Sequence, residues 1–342
     1  MARTALAAPI MLALILGTAT AAGTALAFLT DPVSAQSVSS RSAEWPKTDF
    51  SKHSVDLGEI RSGGPPKDGI PSIDNPKFIS ASAERELSAQ EPVISLNVAG
   101  DARAYPLRIL MWHEIVNDTV GGVPLAITYC PLCNSGLVFK RSVGGKVLDF
   151  GTTGRLRNSD LVMYDRQTES WWQQFTGTAI VGEMTGTRLE SVPVRIEAFE
   201  RFAAHNPAGK VLVPNNPDIR AYGRNPYSGY DGLSRPFLYS GSMPENIEPM
   251  ARVVAVTVAG KPQAVALELV RGGGPVEIGD VVISWEAGQN SALDASEIAK
   301  GRDIGNVVAQ RHGENGLEDI VYDVTFAFAF NAFYPDAPIR TE

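Results

Sequence analysis

The pattern of apolar and polar residues along the chain predicts a protein built mainly from β-strands. From Glu91 onward, short apolar runs are separated by turns of Gly, Asn and Asp, which is typical of antiparallel strands. Residues 107–116 differ, because they are apolar on nearly every side and therefore predict a buried helix. The predicted fold class is mostly β with a few helices (α+β). The strand-like runs are 93–98, 124–129, 136–141, 146–150, 161–164, 171–175, 253–258, 263–270, 281–285 and 322–330.

The alternation of strand-like runs and turns occurs in two regions of the chain, and short motifs recur in both. Val-Ala-Gly at 98–100 closes one apolar alternation, and Val-Ala-Gly at 258–260 closes another. Asn-Ser-Gly-Leu at 134–137 is matched in the same way by Asn-Ser-Ala-Leu at 290–293. We therefore predict two related antiparallel β-rich halves, of which the second is a degenerate repeat without cysteines.

Composition divides the chain into five segments. The apolar run 7–29 followed by Val33, Ser34 and Ala35 is typical of a secretory signal peptide, with an uncleaved membrane anchor as the alternative. The protein is therefore expected to be periplasmic or secreted. The predicted segments are the signal peptide 1–35, an extended Pro/Gly-rich arm 36–90, a first half 91–205, proline-rich connecting loops 206–249 and a second half 250–342.

Charge restricts the class of partner. The chain has a formal net charge of −8 and no basic run, which excludes a typical nucleic-acid-binding protein. The partner we expect is an unknown small molecule or a metal-trafficking protein. Contact with a membrane is expected only if the leader is not cleaved.

The two cysteines carry the most specific chemistry in the sequence. Cys130 and Cys133 are the only cysteines, and two residues separate them between two predicted strands. A pair of thiolates selects a soft ion such as copper(I), which needs only one further ligand. His113, on the predicted buried helix, is the best candidate for that ligand. Zinc fits less well, because a structural zinc site usually has four protein ligands.

Two other interpretations of the cysteine pair remain open. Cys130 and Cys133 are the catalytic residues if the protein is a periplasmic thiol-disulfide oxidoreductase, although strand-like residues follow the pair where such enzymes have a helix. Alternatively, the pair forms a structural disulfide in a non-catalytic binding module. The sequence leaves open whether the protein is an enzyme.

Polar residues near the cysteines form a second group of candidates. Residues following the pair are expected to donate hydrogen bonds to the sulfurs, and the polar run 151–174 is expected to form a ligand groove or an anion site. In the alternative interpretation, the charged residues of this run pair with one another and close hairpin turns. The candidates are Asn134, Ser135, Arg155, Arg157, Asn158, Asp160, Asp165 and Trp172.

Five segments together resemble an exported family known as domain of unknown function 3179. They are residues 62–71, 113–118, 129–135, 150–154 and 172–173, and the similarity spans most of the mature chain. The resemblance implies family membership and no particular activity. It implies that the signature segments contain His113, Cys130, Cys133, Asn134, Arg157, Asn158, Asp160 and Asp165.

Overall fold

A computed structural model describes residues 43–342, and the predicted signal peptide lies outside these residues. Most of the regular structure is β-strand, as predicted. The strands up to residue 213 are β1 (Arg61–Ser62), β2 (Lys77–Ser80), β3 (Pro92–Val98), β4 (Asp101–Pro106), β5 (Ile115–Val120), β6 (Val123–Cys130), β7 (Ser135–Lys140), β8 (Ser142–Val143), β9 (Lys146–Val147), β10 (Phe150–Arg157), β11 (Asp160–Asp165), β12 (Trp171–Gln173), β13 (Thr178–Val181), β14 (Ser191–Val192), β15 (Arg195–Ala198) and β16 (Lys210–Val213). The later strands are β17 (Arg252–Val258), β18 (Lys261–Ala266), β19 (Val276–Ile278), β20 (Val281–Glu286), β21 (Asn306–Gly313), β22 (Gly316–Asp319), β23 (Tyr322–Phe326) and β24 (Ile339–Arg340).

Short helices connect these strands. The α-helices of the described residues are α1 (Leu107–His113), α2 (Phe199–His205), α3 (Leu267–Gly273) and α4 (Ala327–Phe333). Single 3₁₀ turns occur at Leu57–Glu59, Ala81–Ala83, Tyr230–Gly232 and Ile298–Lys300. Within residues 43–342 we find no helix long and apolar enough to cross a membrane.

The strands form five sheets of four or five strands, arranged as a five-bladed β-propeller. Most neighbouring strands are antiparallel, and the pairs β4–β16 and β18–β24 are parallel. A separate hairpin joins β8 and β9. The strand orders are β1-β10-β11-β12-β13, β14-β7-β6-β5, β15-β3-β4-β16-β2, β23-β17-β18-β24 and β19-β20-β21-β22.

Residues 44–90 are joined to the sheets by pairing and packing. β1 pairs with β10, and β2 pairs with β16. Trp45 is fully buried, and its ring lies edge-on against the rings of Tyr164 and Trp171 at 4.8 and 5.1 Å. Burial of such an aromatic side chain offsets part of the entropy lost by fixing an irregular segment.

Helix α1 is shorter than its apolar pattern predicts. The pattern extends through residue 116, but the helix ends at His113, because Glu114 leaves helical geometry with φ of 57° and ψ of −31°. The β-branched residues Ile115 and Val116 then begin β5, where such side chains pack well. This turn joins α1 to the sheet that carries the cysteines.

Candidate functional site: a buried thiol and carboxylate group

The cysteines lie in the turn between β6 and β7. Cys130 pairs with Ser135 across the hairpin, and Asn134 closes the turn with φ of 53°. Its side-chain amide holds this geometry, since Oδ1 accepts from the Tyr129 hydroxyl at 3.2 Å and Nδ2 donates to the Val324 carbonyl at 2.6 Å. The predicted turn between two strands is therefore present, and the Asn134 amide contacts the scaffold at both ends.

A second hairpin turn faces the sulfur atoms. Asn158 and Ser159 join β10 to β11 with φ of 54° and 63°, as a two-residue hairpin turn requires. The Ser159 carbonyl oxygen accepts from the Cys130 thiol at 3.8 Å and from the Cys133 thiol at 3.6 Å. Both sulfurs are therefore directed at the tip of this hairpin.

Asp160, the next residue, adds a carboxylate to the two thiols. One of its oxygen atoms and both sulfurs lie within 4.8 Å of one another, and all three residues are buried. Oδ2 accepts from Gln173 Nε2 at 2.6 Å and from the Phe175 backbone N–H at 3.0 Å. Oδ1 has no hydrogen-bond partner among the described residues. A buried carboxylate oxygen without a donor is unfavourable unless a proton or a cation lies beside it.

Burial determines the protonation of this group. It raises the pKa of Asp160 to about 6 and raises the pKa of the Cys130 thiol. It also raises the pKa of the Cys133 thiol well above its usual range. Without a cation, burial therefore favours the neutral thiols and moves Asp160 toward its neutral form.

Segment 227–238 covers the cysteine turn. The Tyr230 hydroxyl donates to the Leu132 carbonyl at 3.0 Å, and the Ser159 hydroxyl donates to the Phe237 carbonyl at 2.6 Å. Cys130 is 2% exposed and Cys133 is 0% exposed. The two thiols are therefore closed off from solvent in this structure.

The structure does not bring His113 into the thiol and carboxylate group. Its Nδ1 lies 2.7 Å from the Pro71 carbonyl oxygen, and its Nε2 lies 2.7 Å from the Tyr222 hydroxyl. Both ring nitrogens therefore have partners on other segments. Asp160, which the sequence suggested for a groove, is the third member of the group.

Ser135 and Trp172 are both buried. The Ser135 carbonyl accepts from Nε2 of Gln174, which directly follows β12 of a neighbouring sheet, at 3.4 Å. Trp172 is 0% exposed and donates through Nε1 to Asp165 Oδ2 at 2.9 Å, so it does not face a groove.

The arginines of the polar run are paired with acidic residues. Arg155 Nη2 lies 3.0 Å from Glu44 Oε2, and Arg157 Nε lies 2.7 Å from Glu59 Oε2. Asn158 Nδ2 donates to a backbone carbonyl at 3.4 Å. These residues therefore neutralise or anchor neighbouring segments, and they are not gathered around a common anion.

Sequence reasoning missed three residues of this region: Ser159, Glu114 and Asp323, whose Oδ1 accepts from the Gly136 N–H at 3.1 Å. The dipeptide Asn158-Ser159 between two strand-like runs is a recognisable hairpin signal and could have revealed the first. The buried acids Glu114 and Asp323 gave no signal, because a single acidic residue in an apolar run does not indicate what it contacts.

The protein is therefore a β-propeller in which two buried thiols and a carboxylate form a candidate cation site. The chain belongs to the family described as "Protein of unknown function (DUF3179)", whose model matches residues 67–337. This confirms the resemblance found in the sequence, and the matched range contains the whole candidate site. No curated protein and no solved structure was found to match the chain.

Proposed function

We propose that this is an exported protein that binds a metal ion through Cys130, Cys133 and Asp160. The observation that carries the proposal is the buried Asp160 carboxylate, of which one oxygen lies within 4.8 Å of both sulfur atoms and of which Oδ1 has no hydrogen-bond partner among the described residues. A cation would satisfy this oxygen and stabilise the thiolate forms that burial otherwise disfavours. Two thiolates and a carboxylate are all recognised metal ligands in proteins.

The carboxylate changes which ion fits best. Copper(I) is soft and favours sulfur ligands, whereas zinc accepts both thiolate sulfur and carboxylate oxygen. With His113 hydrogen-bonded elsewhere and Asp160 beside the sulfurs, the donor set favours zinc over the copper(I) that the sequence suggested.

Metal analysis of purified variants tests the proposal. Wild-type protein, Asp160→Asn and the double variant Cys130→Ser/Cys133→Ser are loaded with zinc, desalted and analysed for metal content. A parallel series uses copper(I) to compare the two ions. We expect one zinc per wild-type chain, little in Asp160→Asn and none in the double variant.

His113→Gln serves as the control, because His113 is a buried neighbour whose ring nitrogens both have partners outside the group. It should retain the wild-type stoichiometry. Equal metal content in all four proteins would refute the proposal, and loss of metal only in His113→Gln would restore the ligand set suggested by the sequence.

The protonation of the thiols weighs against a thiol-disulfide oxidoreductase. Such an enzyme needs a low thiol pKa to supply the attacking thiolate, whereas burial raises the pKa of both Cys130 and Cys133. Both residues are free thiols in this structure, so the structural-disulfide interpretation also lacks support here.

We also propose that the chain contains an internal duplication, interrupted in the first copy by an inserted sheet. Supporting this, the order β15-β3-β4-β16 has the same connectivity as β23-β17-β18-β24. The order β5-β6-β7-β14 likewise corresponds to β19-β20-β21-β22. The inserted sheet contains β10–β13, which lie between β7 and β14 in sequence.

Strand registers support the same proposal. Val98 pairs with Asp101 around a two-residue turn, and Val258 pairs with Lys261 around another. Helices α1 and α3 have the same length and follow β4 and β18 directly. An experimental structure in which residues 92–113 and 252–273 do not superpose would refute the duplication.

A further inference from the structure

Asp323 is a buried acid on β23 that lies outside the thiol and carboxylate group. The residue is 7% exposed, and its Oδ1 accepts from the Gly136 backbone N–H of β7 at 3.1 Å. Because β7 and β23 belong to different sheets, this bond fixes the carboxylate at the place where the two sheets meet. Oδ2 has no hydrogen-bond partner among the described residues. A buried oxygen of this kind is unfavourable unless a further group donates to it.

Asp323 lines a cavity of about 80 Å³. Strands β7 and β14 contribute residues to the cavity from one sheet, and strands β17, β18 and β23 contribute residues from another. A single water molecule needs roughly 10–15 Å³ of cavity volume. The space beside Asp323 is therefore large enough for a small organic molecule.

Arg188 lines the same cavity and carries the opposite charge. Arg157 and Arg195 have carboxylate partners at 2.7 and 2.6 Å, whereas Arg188 has no ion pair among the described residues. An exposed arginine without a partner is ordinary when it stands alone. Here it shares a cavity with a buried carboxylate, and the two side chains do not pair with each other. The cavity thus contains one acid and one base that both lack a partner of opposite charge.

Aromatic side chains also line the cavity. The ring centroid of Tyr334 lies 6.2 Å from that of Phe175 and 5.4 Å from that of Phe330, and all three residues line the space. Burial raises the pKa of Tyr334, Arg188 lowers it and Asp323 raises it further, which agrees with the placement of both charges around this ring. Aromatic rings accept apolar groups and also attract an ammonium group through their faces.

We propose that this cavity binds a small amino acid, whose ammonium group pairs with Asp323 and whose carboxylate pairs with Arg188. A zwitterion supplies a donor to the buried carboxylate and an anion to the guanidinium, and it leaves the net charge of the cavity unchanged. The aromatic rings then contact the apolar part of the ligand. The limited volume favours a small side chain. This site is separate from the metal site and does not depend on the proposed function.

Calorimetric titration of the purified protein with L-alanine, L-valine and L-leucine tests the proposal. We expect at least one of them to bind with one molecule per chain. The N-acetyl derivative of the tightest ligand lacks the ammonium group, and its carboxamide lacks the carboxylate. Each derivative should bind at least about 10-fold more weakly, because each leaves one charged group of the cavity unpaired.

Two variants remove the charges from the protein side. We expect Asp323→Asn and Arg188→Gln each to lower the affinity about 10- to 100-fold, which is the range for losing a hydrogen bond to a charged group. Asp323→Asn keeps an oxygen that can accept from the Gly136 N–H. Asp218→Asn and Arg235→Gln are the matched controls and should retain wild-type affinity, because both residues are exposed and lie outside the cavity.

Failure of the wild-type protein to bind any of the three amino acids would overturn the proposal. Equal binding of the carboxamide and the amino acid would also overturn it, because Arg188 would then have no part in recognition. If Asp323→Asn does not fold, Arg188→Gln and the two derivatives decide, since Arg188 is exposed and the derivatives are tested on the wild-type protein.

Discussion

The turn after β6 and the turn after β20 differ in how each meets a nearby carboxylate. After β20, Asp303 Oδ1 accepts backbone N–H groups of Gly288 and Gly305 at 3.0 and 2.8 Å, and of Gln289 at 3.2 Å. After β6, the carboxylate is Asp160, which lies beside the two thiols and whose Oδ1 has no hydrogen-bond partner among the described residues. The two connections differ in length, because residues 131–134 join β6 to β7 whereas residues 287–305 join β20 to β21. Of the two carboxylates, only Asp160 is left with an oxygen that has no hydrogen-bond partner among the described residues.

In the proposed duplication, the sheet inserted into the first copy accounts for the difference. β21 continues to β22 through a two-residue connection, whereas strands β10–β13 lie between β7 and β14. The hairpin tip of β10 and β11 supplies Ser159 and Asp160 to the cysteine turn. The second region has no equivalent hairpin in the proposed duplication, so its turn is completed by local residues instead.

The largest expected effect is a fall in the stability of the metal-free protein as pH rises. Burial raises the pKa of Asp160 to about 6, of Asp323 to about 7 and of Glu114 to about 8. Each carboxyl holds its proton more tightly in the folded protein than in the unfolded chain. Its contribution to the free energy of unfolding is therefore full below the pKa of the unfolded state, and it is lost as the pH rises through the pKa of the folded state. Each carboxyl costs about 1.4 kcal/mol per pH unit up to its own folded pKa, so from pH 5 to 8 the loss is about 4 kcal/mol for Glu114 and about 1.4 kcal/mol for Asp160.

Urea unfolding of metal-free protein at pH 5, 6, 7 and 8 measures this slope. Glu114→Gln removes the carboxyl with the highest of the three folded pKa values and should flatten the curve between pH 6 and 8. If the free energy of unfolding rises over this range, the acids around the cysteine turn already have partners that stabilise their charged forms. They would then not differ from Asp303 in this respect.

Exchanging the two carboxylates for amides gives the next largest effect. We expect Asp160→Asn to lower zinc affinity about 100-fold, or about 2.7 kcal/mol. The metal-free protein should not be destabilised, because the asparagine oxygen can keep the donors at Oδ2 while the charge is removed. Asp303→Asn should lower the free energy of unfolding by about 1.5–3 kcal/mol, since it weakens charge-assisted bonds from three backbone N–H groups.

Zinc competition and urea unfolding of the two variants check this expectation. The expected result is that each variant loses a different property: Asp160→Asn loses metal affinity alone, and Asp303→Asn loses stability alone. If both variants lose zinc affinity, the loss in Asp160→Asn comes from removing a negative charge anywhere in the protein and not from losing a metal ligand.

The substitution Glu114→Gly tests the same comparison at the strained turn. It makes the first region resemble the second, in which Gly274 follows the helix. Removing the strain and the uncompensated carboxyl should raise the free energy of unfolding of the metal-free protein by about 1–3 kcal/mol. Thermal or urea unfolding measures the change, and a destabilised variant would show that the Glu114 side chain contributes to packing instead.

Much of the cysteine hairpin was predictable from the sequence. Runs 124–129 and 136–141 nearly coincide with β6 and β7, because apolar alternation reports strands directly. The end of α1 was not predictable, since the apolar pattern does not reveal the positive φ of Glu114. The repeat of short motifs at 98–100 and 258–260 pointed to the registers that support the proposed duplication.

Asp160, the third member of the thiol and carboxylate group, could not be derived from local patterns. His113 was favoured because it is close in sequence, yet its ring is held by Pro71 and Tyr222, which come from irregular segments. Asp160 reaches the sulfurs only through packing of one hairpin tip against another. Contacts of this kind depend on how sheets are placed, and neither periodicity nor spacing in the sequence specifies them.

The smallest effect is expected at two turns that the comparison treats as equal. Ala99 and Ala259 occupy the first position of two-residue turns with φ of 51° and 48°, and both are exposed. Asparagine tolerates this conformation better than alanine, so Ala99→Asn and Ala259→Asn should each raise the free energy of unfolding by about 0.5–1 kcal/mol. Urea unfolding should give the same gain in free energy of unfolding at both turns, because their backbones correspond. A gain at only one turn would mean that the β3–β4 and β17–β18 hairpins differ in local geometry. That result would weaken the proposed duplication at its best-matched element.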